Sequence, residues 1–409
     1  MSRSDTRVKL ACYAINISQA IVLNASPLLF LTFHTLYDIS YSLLGLLVLI
    51  NFVTQLAVDL LFSFFLRRID VRRLIRIAPC LVIAGLLLFA LAPVLFPHAV
   101  YMGLALGTVL FSAAGGFVEV FVSPIIAALP AKDPDREMSK LHSTYAWGVV
   151  GMVLTSTVFF ALWGGGVWQW LILVFLSVPI LSWILFFGAD IPAIRTHHQM
   201  SGILPFLKNR GFWLCVFGIF CGGAAECTMG QWSSSYLEQA LGIPKMWGDL
   251  FGVALFALML GLGRTLYARW GKNVVKILFL GSACAAICYL VAALSPIPLI
   301  GLIACAVTGF FTAMLWPGSL IAAADRFPTG GVFLYAMMAA GGDMGASVAP
   351  QAVGLITDAV IASPKAEMIA ASLSLSPDQL GMKLGMLVGM VFPLIGAVLF
   401  YRMMKQKRA

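Results

Sequence analysis

Charged side chains are scarce in this sequence, since Asp, Glu, Lys and Arg make up 11% of its 409 residues while hydrophobic residues make up 61%. Soluble domains carry about a quarter charged residues and about half apolar residues. Apolar runs of about 20 residues or more recur along the chain, and this is the length that spans a bilayer as a helix. The sequence therefore excludes an ordinary soluble domain and predicts an all-α polytopic membrane protein.

Several motif classes are also missing. The chain has no phosphate-binding loop for ATP, no dinucleotide fingerprint, no nucleophile elbow and no zinc-binding helix. We therefore expect neither an enzyme nor a cofactor. The eight cysteines show no CxxC pairing and fall in the apolar runs, where we expect small buried residues. His197 and His198 have no third ligand near them in the sequence, so we expect no metal site.

The apolar runs predict twelve transmembrane helices, which we number as spans 1 to 12. Their approximate limits are 9–33, 41–66, 74–97, 99–129, 141–164, 166–189, 211–237, 246–268, 274–294, 296–323, 331–360 and 380–403. The first run has no cleavage-like site after it and further spans follow, so we interpret it as a retained helix.

Basic residues lie mostly in connections on one side of these helices. Cytoplasmic loops of membrane proteins collect Lys and Arg, so the net charge of +9 indicates topology and not a nucleic-acid partner. The N-terminal side holds Arg3, Arg7, Lys9, Arg67, Arg68, Arg72, Arg73, Lys132, Arg136, Lys140, Lys208, Arg210, Arg269, Lys272, Arg326 and the basic C-terminal tail; the other holds Lys245, Lys365 and Lys383. We expect a bacterial cytoplasmic membrane protein in the lipid bilayer, with both termini cytoplasmic.

The two halves of the chain repeat one another. The segment GFVEVFVSPIIAA (116–128) in span 4 matches GFFTAMLWPGSLIAA (309–323) in span 10, and both keep a Gly and a Pro at the same spacing. Glu119 of the first copy corresponds to Thr312 of the second, so packing of this helix alone does not require the acid. Duplicated halves are a transporter architecture. We predict two pseudo-symmetric six-helix bundles, 1–189 and 211–409, joined by a cytoplasmic linker at 190–210.

The short basic turns after spans 2 and 8, LRRIDVRR (66–73) and ARWGKNVVK (268–276), look like degraded copies of the loop signature of the major facilitator superfamily. GFVEVFVSP (116–124), LHSTYAWG (141–148), GGAAECTMGQW (222–232), FFTAMLWP (310–317) and AAGGDMGASVAP (339–350) resemble the fucose-permease-like group of sugar/proton symporters within it. The resemblance implies a major facilitator fold, a monomer, a sugar-like substrate, protons as the coupling ion, and Glu119 as a proton-linked site. It also implies that spans 1, 4, 7 and 10 line the cavity.

Acids inside the spans are the strongest candidate sites, because a charge in mid-bilayer is costly and usually faces a cavity or a partner. We predict proton coupling at Glu119, Glu226 or Asp343. Sugar hydroxyls pair with amides and acids, and aromatic rings stack on the apolar sugar face. The predicted substrate-binding residues are Asn16, Gln19, Asn24, Asn51, Gln55, Glu119, Glu226, Gln231, Trp232, Thr312 and Trp316.

Asp59, close to the basic turn after span 2, is expected to act as a latch. The predicted cytoplasmic gate comprises Asp59, Arg67, Arg68, Arg264 and Arg269. Asp249, near the outer end of span 8, is expected at the membrane interface.

The functional prediction is a secondary active transporter that carries a monosaccharide-like solute with protons by alternating access. A proton-driven exporter of amphiphilic compounds and an uncoupled sugar facilitator remain alternatives. A membrane receptor is disfavoured, because the sequence shows no extra soluble domain or long tail.

Overall fold

A computed structural model describes residues 3–65, 71–130, 134–192, 206–270, 272–328 and 331–405. Within these ranges the chain is helical and has no strand. Twelve of its helical stretches are long and apolar enough to cross a membrane. A bilayer core offers no water to backbone groups, so each span must satisfy its hydrogen bonds within its own helix. The predicted fold class is confirmed.

The first six spans are built from α1 to α8, in which α2 continues α1 after a turn and α7 with α8 forms span 6. Their bounds are α1 Arg3–Leu28, α2 Phe30–Tyr37, α3 Tyr41–Phe65, α4 Val71–Leu95, α5 Val100–Ala128, α6 Pro134–Trp163, α7 Trp168–Phe175 and α8 Ser177–Phe186.

The last six spans are built from α9 to α16, with α12 and α13 together forming span 10. Their bounds are α9 Arg210–Leu241, α10 Leu255–Trp270, α11 Val274–Leu294, α12 Pro298–Thr312, α13 Pro317–Arg326, α14 Gly331–Ile361, α15 Pro364–Ser372 and α16 Pro377–Lys405. A helical turn, Lys245–Trp247, and a π-helical segment, Gly248–Ala254, precede α10. The short helix α15 is not expected from the apolar runs, because it is only nine residues long and lies between two spans.

The chain divides into two compact units. Unit 1 comprises Met1–Tyr37 and Ile50–His197, and unit 2 comprises Asp38–Leu49 and His198–Ala409. The first turns of α3 thus belong to unit 2 and the rest of that helix to unit 1.

Unit 1 is held partly by an aromatic cluster. The ring of Trp168 on α7 meets the edge of Phe33 on α2, with 4.9 Å between centroids, and Phe89 on α4 lies 5.9 Å away. The indole N–H of the fully buried Trp168 donates to Tyr37 Oη at 3.0 Å. Buried indoles normally need such a partner, so this hydrogen bond fixes the ring that joins three helices.

Unit 2 is held partly by a close crossing of α9 and α14. A β-carbon at Gly345 on α14 would overlap the carbonyl oxygen of Phe220 on α9. Small residues allow helix backbones in a membrane to approach this closely, which increases their van der Waals contact. The crossing therefore brings the middle of α14, including Asp343, against α9.

Span 10 is interrupted in its middle. α12 ends at Thr312 and α13 begins at Pro317, with residues 313–316 in a turn. Proline is well tolerated at the first helical position but cannot donate a hydrogen bond within a helix. Transporter binding sites are typically formed at such discontinuous helices. Residues at this break are therefore candidates for a binding site.

Candidate functional site

A chain of buried amides crosses unit 1. Gln19 Nε2 donates to Gln55 Oε1 at 2.8 Å, and Gln55 Nε2 donates to Asn51 Oδ1 at 2.7 Å. Ser112 Oγ donates to the same Asn51 oxygen at 2.9 Å, while Asn51 Nδ2 donates to the carbonyl of Val22 at 3.1 Å. Buried polar groups are costly unless they are paired. The chain therefore locks α1, α3 and α5 together and fixes the orientation of three amides.

Glu119 extends this polar face along α5. It follows Ser112 by seven residues, or about two turns, and Gly115 by four, so all three side-chain positions share a face. A β-carbon at Gly115 would lie 2.8 Å from Gln19 Oε1, so this face of α5 packs on the amide chain. Glu119 itself is exposed. The unit thus presents a carboxylate next to an ordered set of amides.

The other two predicted amides of span 1 point elsewhere. Asn16 Nδ2 donates to Leu141 O and to Thr144 Oγ1, both at 2.9 Å, on α6. Asn24 Nδ2 donates to Ala20 O at 2.8 Å, within its own helix. The structure therefore brings together Gln19, Asn51 and Gln55 but not Asn16 and Asn24.

An ion pair in unit 2 lies at the break in span 10. Arg264 Nη2 on α10 contacts Glu226 Oε1 on α9 at 3.2 Å, and Arg264 Nε donates to Ala313 O at 3.1 Å. Residue 313 is in the turn between α12 and α13. One guanidinium thus satisfies both a carboxylate and a carbonyl of the interrupted helix, which its rigid fork of donors suits. Arg264, a predicted gate residue, is placed with the predicted binding residue Glu226.

Trp316 stands at the same break. A β-carbon at Gly342 on α14 would lie 2.5 Å from its Cη2 atom, and one at Gly223 on α9 would lie 3.1 Å from its Cζ3 atom. The indole therefore rests on two glycines. Glu226 follows Gly223 by three residues on α9, so the carboxylate and the ring meet the same face of that helix. Asp343, adjacent to Gly342, is buried with 5% of its surface exposed.

Three predicted binding residues of unit 2 are buried. Trp232 is fully buried, and its indole N–H donates to Pro350 O at 3.0 Å. Thr312 is also fully buried, and its hydroxyl donates to Thr308 O at 3.0 Å within α12. Gln231 is 6% exposed. In this structure Trp232 and Thr312 bond to backbone carbonyls of their own unit.

The predicted gate falls largely outside the described part of the chain. Arg67 and Arg68 lie outside the described residues, and Asp59 belongs to α3 but its side chain is not among those described. Arg269 is exposed near the end of α10. The gate remains a prediction.

Asp249, which we expect at the membrane interface near the outer end of span 8, is buried against α9. It has 0% exposure at the start of span 8, and its carboxylate contacts Ser234 on α9 and Lys245. The spacing of Lys245 and Asp249, four residues apart, is the sequence signal that predicts such a pair.

Glu137, which lies on α6 before span 5, joins α6 to α1. It pairs with Lys9 and with Lys140, and it accepts a hydrogen bond from Tyr13 Oη at 3.3 Å. Hydrogen bonds from Lys140 and Lys9 favour the charged carboxylate and lower the pKa of Glu137 to about 2. The contact holds the start of α6 beside α1.

Transporters are among the solved structures that share this fold. The xylose transporter XylE from E. coli is 12% identical, with a TM-score of 0.72 over 99% of this chain and 96% of that one. The nucleoside transporter NupG is 10% identical, with a TM-score of 0.74 over 98% and 100%. The E. coli fucose:proton symporter FucP is 14% identical, with a TM-score of 0.56 over 97% and 99%. At these identities the likeness shows the fold.

A search of curated proteins finds no match. The family model of the Major Facilitator Superfamily matches residues 11–350. This match covers most of the chain and agrees with the twelve candidate spans and with the transporter fold of the solved structures. The chain belongs to the Major Facilitator Superfamily and is a multi-pass integral membrane protein of the transporter class.

Proposed function

We propose that this protein is a secondary active transporter that moves a monosaccharide-like solute together with protons by alternating access. The observation that carries the proposal is Glu119, an exposed carboxylate in a membrane-spanning helix that shares its face with a buried chain of amides. An acid in a span is expensive unless it serves a pathway or a partner. The repeat places Thr312 at the matching position of span 10, so the helix itself does not require it.

The amide chain supports recognition of a polar solute. Gln19, Asn51 and Gln55 are oriented by one another, so donors and acceptors at this face are held in place before a ligand arrives. Preorganised groups lose less conformational freedom on binding. Glu119 adds two acceptor oxygens to this face when ionised. Hydroxyl groups of a sugar can donate to the Glu119 oxygens, while the amide chain holds the helices that carry this face in place.

The break in span 10 supports the same class of substrate in unit 2. Trp316 offers an aromatic ring against Gly223, one turn of α9 from Glu226 of the Glu226–Arg264 pair. An aromatic face accommodates the apolar C–H side of a sugar, and charged groups such as those of the ion pair make stronger hydrogen bonds to hydroxyls than neutral groups do. Two of the solved structures with this fold are a fucose:proton symporter and a D-xylose-proton symporter, which agrees with the proposal.

Proton coupling is assigned first to Glu119. A carboxyl that is neutral when substrate loads and ionised when it leaves couples the two events. Glu226 is held by Arg264, and Asp343 is buried, so both are second candidates for the proton. Protons are the only cofactor-like species that this scheme needs. The protein would act as a monomer in a bacterial cytoplasmic membrane, with its termini in the cytoplasm.

The test is uptake into proteoliposomes that contain the purified full-length protein. A panel of labelled monosaccharides is offered with and without an inward proton gradient, to the native protein and to Glu119→Gln. We expect gradient-driven accumulation in the native protein. In Glu119→Gln we expect no accumulation above equilibrium while exchange of labelled for unlabelled substrate persists. Glu367→Gln changes an exposed carboxylate on α15, outside the spans, and is the matched control with unchanged accumulation.

Each other outcome changes the proposal in a defined way. Unchanged accumulation in Glu119→Gln moves coupling to Glu226 or Asp343. Exchange without accumulation in the native protein leaves an uncoupled facilitator. If no monosaccharide moves, the sugar proposal fails and the exporter of amphiphilic compounds is tested next with efflux assays.

A further inference from the structure

A second cluster of titratable groups lies in unit 2 where α9 ends and span 8 begins. Asp249 Oδ1 accepts a hydrogen bond from Ser234 Oγ and pairs with Lys245 Nζ at 3.4 Å. Ser234 is on α9, and Lys245 is in the turn just before the π-helical segment Gly248–Ala254. The contact therefore joins two consecutive spans of one unit.

The carboxylate of Asp249 is buried, but only one of its two oxygens accepts a hydrogen bond from a described residue. Its side chain is 1% exposed, and within the described part of the chain no donor reaches its second oxygen, Oδ2. The hydroxyl of Ser233, which is also fully buried, has no partner among the described residues. Ser233 Oγ would lie 3.3 Å from a β-carbon at Gly252, one turn beyond Asp249. Such orphaned buried groups are rare and normally have a reason.

The backbone at this point is also unusual. Asp249 is the second residue of a π-helical segment, and π-helical turns are found frequently at functional sites. From within this segment the carboxylate of Asp249 reaches Ser234 on α9.

Among the residues that the structure describes, the charges around Asp249 do not balance. Lys245 supplies one positive charge, whereas Asp249 and Glu238 on α9 supply two negative ones, and Glu238 lies within electrostatic range of both. Of the other elements packed on this segment, α12 contains no charged residue, and Arg264 and Arg269 on α10 lie two turns or more beyond the segment. In a low-dielectric site an unbalanced charge is costly, and one added positive charge would remove the imbalance.

We propose that Asp249 is a proton-binding site of unit 2, separate from Glu119. A proton on Oδ2 neutralises the carboxyl and turns the orphaned oxygen into a donor, while Lys245 is left to pair with Glu238. This inference rests on the proposed function only in one respect, namely that the bound proton would take part in transport. The binding of the proton is a property of the cluster itself.

The test is infrared spectroscopy of the reconstituted full-length protein, which needs no substrate. The carbonyl stretch of protonated carboxylic acids is followed as the pH is lowered. We expect a titrating band in the native protein that is lost in Asp249→Asn and kept in Glu238→Gln. The opposite pattern, with the band lost in Glu238→Gln and kept in Asp249→Asn, overturns the assignment.

Lys245→Met is the second variant. Because it keeps Asp249, the midpoint of the Asp249 band can be measured in it even if Asp249→Asn does not fold. An opposite charge within about 4–6 Å typically shifts a carboxyl titration by about 1–3 pH units. Removing the ammonium should therefore move the midpoint of the Asp249 band upward by about that much, and an unmoved midpoint overturns the proposal. A comparison of buffers that contain choline or sodium as the cation shows whether the site takes a proton or a metal ion. If sodium weakens the band of the protonated acid at constant pH, the site binds sodium and the proposal is overturned.

These outcomes are independent of the uptake assay. Failure to transport any monosaccharide leaves the infrared result unchanged, and a native protein that accumulates sugar while Asp249 does not titrate refutes only this inference.

Discussion

Asp358 on α14 accepts hydrogen bonds from the backbone N–H groups of Tyr41 and Ser42, at 3.0 and 2.7 Å. These are the first residues of α3, so a carboxylate from a distant part of the sequence caps the start of that helix within unit 2. The four N–H groups that begin a helix have no partner in the helix itself, and a negative charge there also interacts favourably with the helix dipole. Tyr41 Oη adds a hydrogen bond to Asp378 at 3.3 Å.

Asp358→Ala should lower the free energy of unfolding by about 1–2 kcal/mol, because the cap residue and its charge are lost together. The apparent melting temperature of the protein in detergent measures the effect. Tyr41→Phe removes only the bond to Asp378 and is the milder control, with a loss of about 1 kcal/mol. Equal melting temperatures for Asp358→Ala and the native protein would show that the cap contributes nothing.

The hydrogen bond between Gln19 and Gln55 predicts that substitutions at these two residues change the free energy of unfolding non-additively. Gln55→Leu leaves the Gln19 amide without its acceptor and should cost about 1–3 kcal/mol, whereas replacing both partners by apolar groups costs less than the sum of the single changes. Thermal unfolding of Gln55→Leu, Gln19→Leu and the double variant gives the coupling free energy. Strict additivity would mean that the two side chains do not interact.

The glycine beneath Trp316 predicts a change in substrate affinity. In Gly342→Ala the new methyl group would lie 2.5 Å from the ring, so the indole has to move from its place against Gly223 and Gly342. For a substrate identified in the uptake panel we expect the KM to rise about tenfold, which corresponds to about 1.4 kcal/mol. Gly261→Ala on α10 has open space at its β-carbon and serves as the matched control with an unchanged KM. A KM that is the same in Gly342→Ala and the native protein would remove Trp316 from the site.

The Lys9–Glu137–Lys140 contact predicts a dependence of stability on pH. The pKa of Glu137 is about 2 in the folded protein against a usual 4.5. The contribution of its carboxylate to the free energy of unfolding is therefore fully present at a pH above its pKa in the unfolded protein. It is lost as the pH falls from about 4.5 towards about 2. The melting temperature of Glu137→Gln should therefore lie below that of the native protein at neutral pH, and the two should converge in this acid range. A difference that stays constant with pH would contradict the role of the charge.

The spans were predictable from the sequence because hydropathy and length are local properties, and a bilayer permits few other structures for such segments. The break in span 10 was not predicted, because Pro124, the matching proline of span 4, lies inside the uninterrupted helix α5. The internal repeat and the position of Glu119 within span 4 also follow from the sequence alone.

The partners of the polar side chains were not predictable. Gln19, Asn51 and Gln55 meet while Asn16 and Asn24 do not, although all five are amides in spans 1 and 2. Which of them face a neighbouring helix depends on the rotation of each helix about its axis, and an apolar run in a bilayer shows little periodicity from which to deduce it.

The sequence by itself determined that the chain has twelve segments long and apolar enough to span a membrane, that its halves repeat one another and that carboxylates lie within these segments. Tertiary structure alone decided that Arg264 joins Glu226 at the broken helix, that Asp249 is buried against Ser234, and that Asp358 caps a helix that begins at Tyr41. The physical reason is that burial in lipid is set residue by residue along the chain, whereas a hydrogen bond between helices depends on which faces come together when they pack.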